Sequence, residues 1–253
     1  MVLSTRATAA ALRGAVGFLT RVPVGQREQD WERFREHPVA IVVTGYLVGL
    51  LVLPVLLLPL PTETAATAYV GWLYVVTGIN HVDGLADLGD ALIVHGDADR
   101  RRAVMQDTTA GVGALLVVSV AVIGLGLGGF SIASAAGGAV GLLIAAEVGA
   151  KLGMAAVICV GSAAFEGLGA QLADRATPRA LLGPILVAVP AALATWPRPA
   201  AAVAVLAGLL VATAMLGWGR RNLGGINGDV MGATNEIARV VGLHAGVVAW
   251  MHF

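Results

Sequence analysis

The stretch PVAIVVTGYLVGLLVLPVLLLPLP, from Pro38 to Pro61, runs for 24 residues without a charge. A bilayer core about 30 Å thick is crossed by about 20 apolar residues in a helix, so this segment alone points to a membrane protein. The pattern recurs on either side of it. Thr64 to Ile79 adds 16 uncharged residues, Thr108 to Ala146 adds 39, Ala180 to Pro197 adds 18, Pro199 to Gly219 adds 21 and Val240 to Phe253 adds 14. The run of 39 is too long for one crossing, and Gly137-Gly138 offers the turn. Its second half continues past Glu147 and Lys151 to about Gly161. None of these runs shows the period-2 alternation of a membrane β-strand. The sequence therefore predicts an all-α, polytopic integral membrane bundle with seven candidate transmembrane helices, six of them well defined.

Composition excludes the other classes. Of 253 residues, 57% are hydrophobic and 13% charged, and the mean hydropathy is +0.82. A soluble domain is about 45–50% apolar and about 25% charged, and a disordered chain is poorer still in apolar residues. The 16 Lys and Arg balance 16 Asp and Glu, which lacks the basic excess of a nucleic-acid binder. The single cysteine, Cys159, sits in an apolar run and reads as a small packed hydrophobe.

Arg6, Arg13, Arg21 and Arg27 interrupt the first thirty residues, so this segment is not a signal peptide. Ala9 to Leu19 has apolar residues at helical spacing beside arginines and reads as an amphipathic helix on the membrane surface. Cytoplasmic loops carry an excess of Lys and Arg. With seven crossings, the six arginines before the first span, Arg100 to Arg102, Arg175 with Arg179, and Arg220 with Arg221 all fall on one side. The opposite loops hold only Arg198, so 13 of the 16 positive residues mark the cytoplasmic side. The expectation is one membrane-embedded catalytic domain over residues 1–253, in the cell membrane, with its amino terminus inside. Residues 1–37 form an interfacial segment, and 81–107 and 220–236 form cytoplasmic active-site loops.

Polar residues concentrate in those two loops. His81 to Asp107 holds six of the chain's 16 acidic residues in 27 positions. Asp83, Asp87 and Asp90 are spaced i, i+4, i+7 and share one face of a helix. Three like charges on one face repel, and a divalent cation removes the repulsion. Carboxylates are the hard ligands that magnesium prefers. The alternative is an acidic, solvated loop, but this stripe begins where an apolar span ends, and bare charge is costly there. Asp107 precedes Gly111 and Gly113 at the start of the next span and is a further candidate ligand. The second patch runs from Asn222 to Glu236. Its glycines, among them Gly228, let backbone amides approach phosphate oxygens. Asn227, Asp229, Asn235 and Glu236 add side-chain contacts. A plain glycine-rich turn is the alternative. Arg100 is a candidate phosphate contact, although the triplet it begins also serves topology. Glu147 and Lys151, at i, i+4 inside a span, read as a buried pair or as a polar lining under the site. Together these features suggest a magnesium-dependent membrane enzyme acting on a phosphoanhydride, with release of a nucleoside monophosphate.

The segment Gly78-Ile79-Asn80-His81-Val82-Asp83-Gly84-Leu85-Ala86-Asp87 resembles the signature of the cobalamin synthase, or adenosylcobinamide-GDP ribazoletransferase, family. Three further segments match in order: Phe18 to Pro23, Arg100 with Met105-Gln106-Asp107 and Gly111-Val112-Gly113, and Gly224 to Ala233. The chain departs at Ile79, Gln106, Asn227 and Lys151, where the family pattern has Gly, Lys, Thr and Arg. The resemblance implies that adenosylcobinamide-GDP and α-ribazole, or its 5′-phosphate, are joined and GMP leaves. It implies Mg2+ as cofactor and a membrane enzyme facing the cytoplasm. On that basis Asp83, Asp87, Asp90 and Asp107 hold the metal, and His81, Asp83 and Asp87 are catalytic. Asn80, Gly84, Arg100, Asn227, Gly228, Asp229, Asn235 and Glu236 bind substrate. The expected partners are the two substrates and the lipid bilayer, with a homo-oligomer and other B12-assembly enzymes as further candidates and no nucleic acid. Two other readings stay open. A CDP-alcohol phosphotransferase also uses a membrane Asp cluster, but its pattern needs Ala-Arg where Asp87-Leu88 stand, and its later spacing differs. A cation-coupled secondary transporter needs internal repeats and charges at the membrane midplane, and no repeat is evident here.

Overall fold

The computed structural model describes residues 5–25, 27–135 and 139–253. Among them the chain is helical throughout, with one isolated parallel β-bridge between Ala163 and Ile226. Four helices are long and apolar enough to cross a membrane: α3 (Val39–Leu56), α7 (Val112–Ser134), α8 (Val140–Val160) and α11 (Ala200–Asn222). They occupy different places in the bundle. In α8, 89% of the span is buried, against 28% in α7. Helix α8 is therefore the central pillar. Helix α7 turns Leu115, Leu116, Val120, Ile123 and Leu127 outward, as a lipid-facing helix does.

The other expected spans differ in length. Helix α4 (Thr62–Thr77) has 16 residues. The run Ala180 to Pro197 forms only a 3₁₀ turn (Pro178–Leu181) and the 11-residue α10 (Leu182–Ala192). Pro190 lies near its end and Pro197 beyond it, and proline cannot donate the backbone hydrogen bonds that a longer helix needs. The last helix is longer than expected. Helix α12 spans Gly228–His252, 25 residues, because Asn235, Glu236 and Arg239 lie on helical turns buried inside the bundle rather than in a loop. The expected turn at Gly137-Gly138 lies outside the described residues.

Helix α1 (Thr5–Leu19) does not rest on lipid alone. Ala11, Ala15 and Leu19 join the common core. Its partner is α2 (Glu28–Arg35), whose fully buried Asp30 accepts two hydrogen bonds from Arg13, at 2.7 and 2.8 Å. Phe18, Trp31 and Phe34 cluster between the two helices, with Phe18 and Trp31 ring centres 5.1 Å apart. The two segments expected as loops are largely helical. Residues 81–107 fold into α5 (Asn80–Ile93) and α6 (Ala98–Met105). Helix α5 is shorter and more polar than the spans and packs against α7 and the first half of α12. A short helix, α9 (Leu168–Ala173), follows α8.

Candidate active site

Helix α5 organises the site. At about 100° per residue, Asp83, Asp87 and Asp90 share one face, while His81 and Gly84 turn toward α12. A Cβ on Gly84 would lie 2.8 Å from the Asp229 Cα. The two backbones therefore touch where only a glycine fits, and Asp229, in the first turn of α12, is brought against the acidic face of α5. Gly84 thus serves helix packing in this structure.

The acids border a cavity of about 300 Å3 lined by Asp83, Asp87, Asp90, Gln106, Asp107 and Thr109. Their settings differ. Both oxygens of Asp90 are engaged: Oδ2 accepts from the Gly111 amide at 2.7 Å and Oδ1 from the Ala114 amide at 3.0 Å. Asp90 thereby caps α7, whose first amides lack helical partners. Asp107 is exposed, and hydrogen bonds from the Thr109 hydroxyl and amide hold its carboxyl below the ordinary range. Asp87 is half-buried. Burial, with the charges of Asp229, Asp83 and Asp90, pushes its pKa up to about 7. Asp83 is exposed at the mouth.

A second cavity of about 260 Å3 lies between α1, α8, α9 and the starts of α5 and α12. Phe18, His81, Met154, Leu168, Leu172 and Asp229 line it, with Asn80 and Gly228 at its edge. Behind His81 runs a buried polar network. Lys151 Nζ donates to Asn235 Oδ1 at 2.7 Å. Asn235 Nδ2 donates to Glu236 Oε1 at 3.0 Å and faces His81 Nδ1 at 3.3 Å. Arg239 donates to Glu236 Oε1 at 2.6 Å and to both oxygens of Glu147, at 2.6 and 3.1 Å. Two carboxylates and two cations balance, all buried to within 1% exposure. The network also sets the histidine tautomer. Turning the Asn235 amide over would oppose two donors at Lys151 and two acceptors at Glu236. Nδ2 therefore faces the imidazole, Nδ1 accepts, and Nε2 carries the proton. Burial, with the nearby Lys151 and Arg239 charges, holds His81 well below its ordinary pKa. His81 is thus a neutral hydrogen-bond donor at Nε2.

Asn227 caps α12: its Oδ1 accepts from the Val230 amide at 2.9 Å, and its Nδ2 donates to Asp229 Oδ2 at 2.7 Å. Two amides of the glycine-rich turn are already engaged within the protein. The Gly225 amide donates to Gly219 O and the Ile226 amide to Ser162 O. Arg100 is exposed on α6 and lines neither cavity. Its neighbour Arg102 instead holds the Leu223 carbonyl at 2.5 Å. Glu147 and Lys151 do not pair with each other; each answers a residue of α12. The Glu147–Arg239 pair was missed from sequence, and its signal was the charge standing inside apolar runs.

Among the described residues, no three His, Cys, Asp or Glu side chains converge into a ready metal cluster. A divalent cation here would be held by one or two of these carboxylates together with substrate phosphates. Burial raises Asp87 and the neighbouring acids raise it further, and a cation would relieve the second of these pressures.

Fold and site together define a polytopic helical membrane protein with a carboxylate-lined site at one end of its bundle. The family model described as cobalamin-5-phosphate synthase matches residues 11–247. The chain belongs to that family. The adenosylcobinamide-GDP ribazoletransferase of Halorubrum lacusprofundi is 48% identical over 253 residues, covering 96% of this chain and 98% of the relative. That of Haloquadratum walsbyi is 46% identical, covering 95% and 98%, and that of Halobacterium salinarum is 53% identical, covering 75% and 96%. No solved structure matches the chain.

Proposed function

We propose that this protein is a magnesium-dependent membrane transferase that joins adenosylcobinamide-GDP to ribazole, or to ribazole 5′-phosphate, and releases GMP. The observation that carries the reading is spatial. Four motifs scattered over residues 18 to 233 supply Phe18, His81, Asp83, Asp87, Asp107 and Asp229, and all of them border two cavities flanking one helix crossing. A ribazole hydroxyl attacks the cobinamide-bound phosphorus, the phosphoanhydride bond breaks, and its electron pair leaves with GMP. Magnesium, when bound, neutralises the diphosphate. Asp83 and Asp87 are the residues that hold it, with Asp107 at the rim. Asp229 borders the second cavity and stands against Asp87, so it is placed to take the hydroxyl proton. His81 donates from Nε2 to an oxygen that gains charge in the transition state.

We assign the site to the cytoplasmic face of the cell membrane. The arginine asymmetry supports this: Arg102 and Arg220 bond at the site end of the bundle. Arg198 lies over the Trp250 ring, at 4.1 Å, near the far end of α12. The decisive experiment supplies purified protein in detergent with both substrates and follows GMP. Release that needs Mg2+ and both substrates is expected. Release of CMP from a CDP-alcohol instead would refute the reading.

A further inference from the structure

Two features singled out by sequence or fold, the motif Phe18 to Pro23 and helix α9, take no part in the acidic cavity. We infer that they wall a binding site for the nucleoside acceptor. The ribazole base lies among Phe18, Met154, Leu168 and Leu172, with its ribose turned toward Asp229. The inference rests on the transferase reading above.

The chemistry of the two cavities divides the substrates. The acid-lined cavity needs a cation and suits the diphosphate donor. The second is mostly apolar, with a few convergent polar groups at one end, which is the make-up of a small-molecule site. A nucleoside has the same two-part character, a flat aromatic base and a hydroxyl-bearing sugar. At about 260 Å3 the cavity lies just under the usual range for small-molecule pockets, about 300–1,000 Å3. It accepts a bicyclic ring and excludes a corrin macrocycle.

The walls are braced. Leu168 and Leu172 stand one turn apart on α9, and a Cβ on Gly169 would meet the Gly228 amide nitrogen at 2.5 Å. Helix α9 is therefore held directly against the start of α12. Trp31 Nε1 donates to Gln171 Oε1 at 3.3 Å and ties α9 to α2. Phe18 is wedged against Trp31 and Phe34, with ring centres 5.1 and 5.8 Å away. The end of its motif docks on α4 through the Arg21 amide, which donates to Val76 O at 2.7 Å. The polar end is made by His81 and Asp229, and Asp229 also adjoins Asp87. A hydroxyl held there lies beside the α5–α12 contact that separates the two cavities.

The test uses the full-length protein in detergent and varies the two substrates separately. Leu168→Trp fills the cavity from its rim, where the side chain is 57% exposed and folding tolerates a larger residue. Phe18→Ala removes one wall. Each variant should raise KM for ribazole about tenfold or more, the cost of a misfitted apolar pocket, and leave KM for adenosylcobinamide-GDP unchanged. A rise in the corrinoid KM instead, an equal rise in both, or no rise in either overturns the assignment. Binding of radiolabelled ribazole without the second substrate separates this inference from the transferase reading. Binding to wild type that Leu168→Trp abolishes supports the cavity even if no GMP forms. Equal binding to both proteins, or none to wild type, refutes it.

Discussion

Replacing Glu147 by leucine should be among the most damaging single changes outside the acidic cavity, and a second replacement should undo most of the damage. Arg239 is fully buried and makes three hydrogen bonds to carboxylates, two of them to Glu147. Glu147→Leu removes those two and leaves Glu236 as the only carboxylate bonded to a guanidinium that cannot reach water. Hydrogen bonds to charged groups contribute about 1.5–3 kcal/mol each, and breaking a buried pair from one side costs about 3–5 kcal/mol. Against a total stability of about 5–15 kcal/mol, that is a large fraction. The variant should unfold at much lower SDS in mixed micelles. In Glu147→Leu/Arg239→Met the stranded charge is gone, and Glu236 and Lys151 still balance. Replacing both partners by apolar residues of similar size is often near neutral. The double variant should therefore recover about 2–3 kcal/mol relative to the sum of the single effects, the upper range for coupled neighbours. Strict additivity would refute the claim that these groups answer each other, and a stable Glu147→Leu protein would refute the cost assigned to the unpaired arginine.

Further outcomes follow from the same geometry. Asp83→Asn and Asp229→Asn should each lose at least about 10²-fold in GMP release, as expected for loss of a metal ligand or a general base, with unchanged melting in detergent; near-normal turnover in either removes that residue from the reaction. In a Cys159→Ala background, cysteines at Ala98 and Asn222 should react only with reagent on the cytoplasmic side and one at Arg198 only from outside, and labelling of Ala98→Cys from outside overturns the orientation. Arg13 holds Asp30 below its ordinary value of 3.8, so the pair's contribution to the α1–α2 hairpin is present above about pH 4 and fades as acid protonates the carboxylate. Trp31 fluorescence should report that loss on acid titration, and Asp30→Asn should remove it.

The parts of this fold that were legible in the sequence are those decided by local composition. Pro38 to Pro61 and Thr108 onward announce spans because an uncharged run of that length has nowhere else to go. Asp83, Asp87 and Asp90 announce a helical face because i, i+4, i+7 spacing is a property of one helix. Other features depend on what a residue meets across the bundle, and there local spacing misleads. Glu147 and Lys151 have the spacing of a salt bridge, yet α8 is so deeply buried that each side chain has a partner on α12 within reach, and those partners bind better. Glu147 meets the guanidinium of Arg239, which can take both of its oxygens, and Lys151 meets an amide oxygen 84 positions away. The same pairing explains why the first three turns of α12 read as a loop: Asp229, Asn235, Glu236 and Arg239 look like residues that need water. Asn235 and Arg239 find partners on α8 and α5 instead, Glu236 is held by those two side chains, and Asp229 is turned against Asp87 and the second cavity. Sequence can thus show which charges enter the membrane, because they interrupt apolar runs. It cannot show which of them neutralise one another, because that is decided by helices whose contact no local period records. The exception is a position such as Gly84, where a missing side chain marks the contact itself. Its glycine stands inside the acidic motif because α12 must touch α5 there for Asp229 to reach the site.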